Sequence, residues 1–156
     1  MIGRRLALIG CPLLALVLYL PTLRCDFVFD DRGVILMNPL MQDLGALPRL
    51  VASPYWNAPG HRRELYRPLT SAGFALDGAI SGMRPAWFHG VNAVLHALVT
   101  LLVTLLSLEM SGGRAAIAAS SGALFAVHPV HVEAVAGIVG RSELLAALFV
   151  VTAILC

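Results

Sequence analysis

The stretch LFAVHPVHVEAVAGIVGRSELL, residues 124–145, places ionisable side chains between two apolar runs of the chain. It contains two histidines, two glutamates and one arginine, although the whole chain is 58% hydrophobic and only 13% charged. Soluble domains carry about 25% charged residues, so this composition indicates a membrane protein. We therefore expect the stretch to connect two membrane segments at a polar site.

The apolar residues fall into four runs, at about residues 6–23, 87–108, 115–127 and 144–156. A bilayer core takes about 20 helical residues, so the pattern predicts an all-α membrane protein with about four transmembrane segments, the last one truncated. We treat residues 1–156 as one partial multispanning membrane domain and as a fragment of something longer. A cleaved signal peptide is the alternative for the first run, but no small-x-small cleavage site follows Leu20.

Residues 24–86 form a long polar connection rich in proline, glycine and aromatic residues. Long loops are usually functional or disordered, and the interleaved aromatic side chains favour a folded loop. Arg4 and Arg5 before the first span indicate a cytoplasmic amino terminus, because basic residues accumulate on that side. The loop and the segment around residues 128–141 are then both external.

Two carboxylates, Asp30 and Asp31, follow the first span closely. A carboxylate held there can act as general base for an acceptor hydroxyl. The alternative is a pair of solvated turn residues or a helix N-cap.

His89, Asn92 and His96 lie three and four residues apart, on one face of the second span. Polar side chains inside a span usually face a protein interior or an aqueous cavity. A hydrogen bond between helices that serves only packing is the alternative.

His128, His131 and Glu133 lack the H-E-x-x-H spacing of a helical zinc site, and Pro129 disfavours a helix between the histidines. We expect no metal. With Arg141 and Glu143, this segment suits contacts to phosphate and sugar hydroxyls. Arg141 could alternatively anchor its helix by reaching the headgroups.

Four segments, FVFDD (27–31), YRPLT (66–70), FHGVNAVLH (88–96) and the stretch 124–145, resemble the amino-terminal membrane region of the transmembrane and tetratricopeptide-repeat O-mannosyltransferases. The resemblance implies the start of a GT-C type glycosyltransferase. It also implies transfer of a sugar, expected to be mannose, from a polyprenyl-phosphate or dolichyl-phosphate donor to Ser or Thr hydroxyls at the external face. Asp30 or Asp31 would be the catalytic carboxylate, with inversion at the anomeric carbon.

A leaving phosphate requires positive charge, for which Arg67 and Arg141 are the candidates. The resemblance and the polar pattern together give this set of expected substrate-binding residues: Tyr66, Arg67, His89, Asn92, His96, His128, His131, Glu133, Arg141 and Glu143.

The expected partners are membrane lipid, the lipid-linked sugar donor and a protein acceptor, with no nucleic acid and no cofactor besides the donor. We expect a multi-pass protein of a bacterial inner membrane, or of the endoplasmic reticulum membrane in a eukaryote. A non-catalytic scaffold or lipid-phosphate-binding module is the alternative, and it predicts an acidic pair facing bulk water. A transporter would place ionisable residues near mid-span, whereas here they cluster at one end.

Overall fold

The computed structural model describes residues 2–56 and 65–156, which contain helices and no strand. The α-helices are α1 (Ile2–Tyr19), α2 (Leu47–Ala52), α3 (Pro68–Ser81), α4 (Pro85–Met110), α5 (Ala115–Val127), α6 (His131–Ala136) and α7 (Arg141–Leu155). Shorter 3₁₀ turns extend α1 through Leu20–Arg24 and precede α7 at Ile138–Gly140, and a π-helical turn covers Arg32–Leu36. The all-α prediction is confirmed over the described residues.

Helix α4 is the centre of the bundle and packs against α1, α5 and α7. The residues that α1 buries recur every fourth position, at Ala7, Cys11, Ala15 and Tyr19, so one face of small side chains lets the helices approach closely. The opposite face of α1 exposes leucine, isoleucine and valine side chains. Such a surface suits lipid rather than water.

Three helical segments are long and apolar enough to cross a membrane: Ile2–Arg24, Pro85–Met110 and Ile138–Leu155. The first two correspond to the expected spans. The expected third span, residues 115–127, is a helix of 13 residues, which at 1.5 Å per residue reaches about 20 Å of a core that is about 30 Å thick. The last segment is longer than expected, because helical turns begin at Ile138 instead of residue 144.

The helix ends alternate between two ends of the bundle. Arg4 Nε donates to the carbonyl of Gly113 at 3.0 Å, so the α4–α5 turn lies beside the start of α1. Leu23, just after α1, lies against Gly90 near the start of α4. The other end therefore carries Arg24, Pro85 and the α5–α6 junction, and we call it the loop end.

The connection of residues 24–86, expected as one long loop, is largely helical where the structure describes it, and residues 57–64 lie outside the described ranges. Its side chains share one core with α4 and the start of α7: Phe27, Ile35, Met41, Leu50, Tyr55, Phe74, Phe88 and Ile138. Helix α3 ends at Gly82, whose φ of +64° is the left-handed conformation that glycine adopts freely. The connection thus forms a cap packed on the loop end.

Candidate functional site

A cavity of about 750 Å³ opens at the loop end. This volume is in the range of small-molecule sites. Its polar lining comes from three separate parts of the chain, namely the acidic pair, the residue before α3, and the α6–α7 region: Asp30, Asp31, Arg67, His131, Glu133 and Glu143. Residues that are more than 100 positions apart in sequence therefore meet in one concave site.

Asp31 is buried, with 1% of its surface exposed. Its Oδ2 accepts from the Val28 amide at 3.2 Å, and its Oδ1 accepts from the Val139 amide at 3.0 Å. Burial raises the pKa of the Asp31 carboxyl, while the two amides and nearby His89 oppose that rise. The bond to Val139 ties Asp31, but not Asp30, to the segment that follows the HPVH motif.

The raised pKa of Asp31 predicts a pH dependence of stability. The folded protein holds the Asp31 proton more tightly than the unfolded chain, so this contribution is full below the ordinary carboxyl value of 3.8. It is lost as the pH rises through the folded-state pKa. Asp31→Asn cannot titrate, so we expect its unfolding midpoint to fall less with rising pH, as measured by thermal unfolding in detergent. Asp43→Asn, at an exposed turn, is the control, and identical profiles for Asp31→Asn and the parent would contradict the expectation.

Asp30 differs from its neighbour in both exposure and bonding. Its side chain is exposed, lines the cavity and makes no hydrogen bond to any residue that the structure describes. Phe29, just before it, has a positive φ of 45° and is 92% exposed. Left-handed backbone at a non-glycine residue costs free energy and tends to occur at functional sites.

Arg67 also lines the cavity, and its Nη2 is 3.2 Å from Oε1 of Glu143. Its guanidinium also lies 5.3 Å from the centre of the Tyr55 ring, a cation–π distance. Burial raises the pKa of Tyr55 to about 12, so this phenol is neutral at physiological pH. Tyr66, the expected neighbour of Arg67 in the site, is 62% exposed and does not line the cavity.

Arg141 does not line the cavity but lies in the protein interior, 3% exposed. Its Nε donates to Asn92 Oδ1 at 2.9 Å, its Nη2 donates to the Phe88 carbonyl at 3.2 Å, and its Nη1 is paired with Asp77. The guanidinium also stacks 4.6 Å from the Phe74 ring centre. Each nitrogen thus has a protein partner, which supports a structural role. Of the two candidate arginines, Arg67 is the one that lines the cavity.

Asn92 is completely buried below the cavity. Its Nδ2 lies within hydrogen-bond distance of three carbonyl groups at the end of α6 and in the α6–α7 connection, at 3.4 Å from Val135, 3.1 Å from Gly137 and 3.2 Å from Ile138. Asn92 therefore contacts the end of α6 and the α6–α7 connection, and none of His89, Asn92 and His96 lines the cavity, contrary to the expected substrate contacts.

The remaining histidines occupy different surroundings. His89 is 1% exposed, and neither of its ring nitrogens has a hydrogen-bond partner among the described residues. His96 is buried with Nε2 3.3 Å from the Ala126 carbonyl and its ring against Tyr19. His128 is exposed and its Nδ1 accepts from the Val130 amide. Among the four described histidines, His131 is the one that lines the cavity.

Burial and the neighbouring His128 lower the pKa of His131, which favours its neutral form at physiological pH. Glu133 lies near it on the cavity wall and is exposed. Within the described ranges, no group of three or more His, Cys, Asp or Glu side chains could hold a metal ion.

Sequence reasoning missed two functional neighbours of the expected residues, Asp77 and Tyr55. Asp77 accepts from Trp87 Nε1 at 3.0 Å in addition to pairing with Arg141. A lone carboxylate in the apolar run SAGFALDGAI, residues 71–80, is the available signal, because a buried charge needs a partner. Tyr55 carries no comparable signal.

Three relatives that each align with most of this chain are all protein O-mannosyl-transferases. The chain is 43% identical over 140 residues to protein O-mannosyl-transferase Tmtc1 of Drosophila melanogaster, an alignment covering 88% of this chain and 16% of the relative. It is 40% identical over 147 residues to TMTC2 of Mus musculus, covering 92% and 17%, and 36% identical over 140 residues to TMTC3 of Homo sapiens, covering 88% and 15%.

The chain spans about one sixth of the length of these relatives. No family model matches it, and no solved structure gives a significant match.

Proposed function

This chain is homologous to one part of the TMTC protein O-mannosyl-transferases, and on that premise we propose that it forms a substrate site of a membrane O-mannosyltransferase. The proposed donor is a polyprenyl-phosphate mannose and the proposed acceptor is a Ser or Thr hydroxyl of a protein. The carrying observation is the cavity lined both by Asp30, an exposed carboxylate with no hydrogen bond to the described residues, and by Arg67. We place this site at the external face of a multi-pass protein, with the bacterial inner membrane still the favoured location.

The surface around Arg67 has the polarity that an amphipathic donor requires. A second depression of about 310 Å³ shares Arg67, Ser142 and Glu143 with the cavity and continues over apolar side chains, among them Leu69 and Phe149. The Arg67–Glu143 pair therefore stands between the cavity that carries the ionisable groups and a more apolar groove. A lipid phosphate bound at Arg67 could place its sugar in the cavity and its chain in the groove.

Asp30 is the carboxylate that we assign as general base. A base must come within hydrogen-bond distance of the proton it removes. Asp30 is exposed and has no hydrogen bond to the part of the chain that the structure describes, whereas Asp31 is buried and both of its oxygens accept from backbone amides. In the proposed step Asp30 takes the proton of the acceptor hydroxyl. The acceptor oxygen forms a bond to the anomeric carbon, and the bond from that carbon to the phosphate oxygen breaks with inversion.

Arg67 and Glu143 are expected to affect donor binding in opposite directions. A hydrogen bond to a charged group contributes about 1.5–3 kcal/mol, so Arg67→Ala should raise the KM for the donor roughly 10-fold to 100-fold. An exposed ion pair is worth about 0–1 kcal/mol, so Glu143→Gln should free Arg67 and lower that KM by up to about fivefold. The measurement is transfer from radiolabelled polyprenyl-phosphate mannose to a Ser/Thr acceptor peptide, in membranes carrying the intact protein.

Arg49→Ala, an exposed arginine on α2 that does not line the cavity, controls for loss of positive charge in general. A donor KM that rises in both the Arg67 and the Glu143 variants would contradict the idea that Glu143 and the donor phosphate compete for Arg67. It would indicate that the ion pair only stabilises the fold. Absence of transfer by the unsubstituted protein would count against the proposed donor and favour the lipid-phosphate-binding module.

A further inference from the structure

The buried polar groups below the cavity form one continuous chain that ends at the acidic pair. Asp77 pairs with Arg141, and Arg141 donates to Asn92 Oδ1 at 2.9 Å. Asn92 Nδ2 in turn meets the carbonyls of Gly137 and Ile138 at 3.1 and 3.2 Å. The next amide along the backbone, that of Val139, donates to Asp31 Oδ1 at 3.0 Å.

The α6–α7 connection depends on Asn92 for its shape. The last carbonyls of a helix have no partner within the helix, and α6 has only six residues. Asn92 supplies one donor group for the carbonyls of Val135, Gly137 and Ile138, which holds them on the α4 side of the connection. With those carbonyls directed at α4, the Val139 amide is directed at Asp31.

Close packing makes this connection intolerant of side chains. A Cβ on Gly140 would lie 2.5 Å from the Ala134 carbonyl oxygen, and one on Gly137 would lie 2.9 Å from that of Glu133. Both distances are below van der Waals contact, so the α6–α7 connection lies directly against the backbone of α6. The position of the Val139 amide is therefore set by Asn92 and by contacts that leave little space for adjustment.

We infer that Asn92 is a positioning residue for the acidic pair, acting through the Ile138–Val139 peptide and itself oriented by Arg141 and Asp77. Its meaning for catalysis rests on the proposed function, because Asn92 does not line the cavity itself and acts on the acidic pair through the α6–α7 connection. Losing the Asn92 contacts should release the Val139 amide, loosen Asp31 and displace neighbouring Asp30. Loss of a residue that merely fills the core would not act selectively on the acidic segment, residues 27–31, and on the α6–α7 connection, residues 137–140.

The test compares Asn92→Leu with Thr104→Val in the intact protein. Thr104 is the matched control because it is also buried on α4, and it donates only to the carbonyl of Thr100. We expect Asn92→Leu to speed amide hydrogen exchange in peptides covering residues 27–31 and 137–140, with exchange in α5 unchanged. Since a misplacement of about 1 Å can cost about 100-fold in rate, kcat should fall roughly 10-fold to 100-fold with the donor KM unchanged.

Thr104→Val should show neither change. If Asn92→Leu does not fold, Asn92→Asp keeps an acceptor for Arg141 and replaces the donor to the carbonyls by a carboxylate oxygen that repels them, so it should show the same selective exchange. Unchanged exchange in both segments, or an equal increase along the whole chain, would overturn the inference. The exchange readout is independent of transfer, so failure of the proposed function would appear as absent transfer in the parent while the exchange result still decides the role of Asn92.

Discussion

Asp30→Asn is expected to lower the rate of mannosyl transfer by about 10²- to 10⁴-fold, the usual contribution of a general base. The amide has the same shape but cannot take a proton. The side chain is exposed and makes no hydrogen bond to the described residues, so expression, membrane insertion and the unfolding midpoint should remain as in the parent. Initial rates with radiolabelled polyprenyl-phosphate mannose and a Ser/Thr acceptor peptide measure the effect.

Asp31→Asn is the matched comparison, because it makes the same chemical change one residue away. Its Oδ1 and Oδ2 hold two backbone amides, so this variant should change stability and its pH dependence together with activity. Full transfer by Asp30→Asn, with loss confined to an Asp31→Asn protein of parental stability, would reassign the base to Asp31. Full transfer by both variants would remove the acidic pair from the mechanism.

Arg141→Met is expected to destabilise the protein by about 3–5 kcal/mol, the cost of removing one partner of a buried ion pair. The substitution leaves Asp77 without its guanidinium and removes the donors to Asn92 and to the Phe88 carbonyl. It also removes the cation that packs on Phe74. The unfolding midpoint in detergent, followed by the near-ultraviolet signal, should fall clearly below that of the parent.

The double variant Asp77→Asn/Arg141→Met should recover part of this loss, because no charge then remains buried without a partner. Arg67→Met is the control for an exposed ion pair and should change stability by about 1 kcal/mol or less. An Arg141→Met protein as stable as the control would show that Arg141 is not the internal anchor described here. It would return this residue to the candidates for phosphate binding.

Much of the site could be anticipated because its signals are local in sequence. Asp30 and Asp31 closely follow an apolar span. His131, Glu133 and Glu143 are ionisable residues in a chain that is mostly hydrophobic. The alternation of spans further predicts that these residues return to one end. These side chains do line one cavity, as the alternation predicts. Their chemical roles stay predictions.

The assignment of individual roles could not be anticipated, because burial and pairing depend on distant residues. Asp30 and Asp31 are adjacent residues of the same type, yet Asp30 is exposed. Asp31 is buried and accepts a hydrogen bond from the Val139 amide. Arg67 and Arg141 were equal candidates for phosphate, and only Arg141 is paired in the interior by Asp77, 64 residues away. The role of Asp77 itself follows from that pairing.

Sequence by itself determined that this protein is a membrane protein built of helices, because hydropathy and the length of apolar runs report directly on transfer from water to lipid. It also indicated which ionisable groups share one end of the bundle, because successive long helices run in opposite directions. Tertiary structure alone decided which groups face the cavity and which are neutralised inside the protein. The reason is physical: the free energy of a buried charge depends on partners within a few ångströms, and those partners come from helices far apart in the chain.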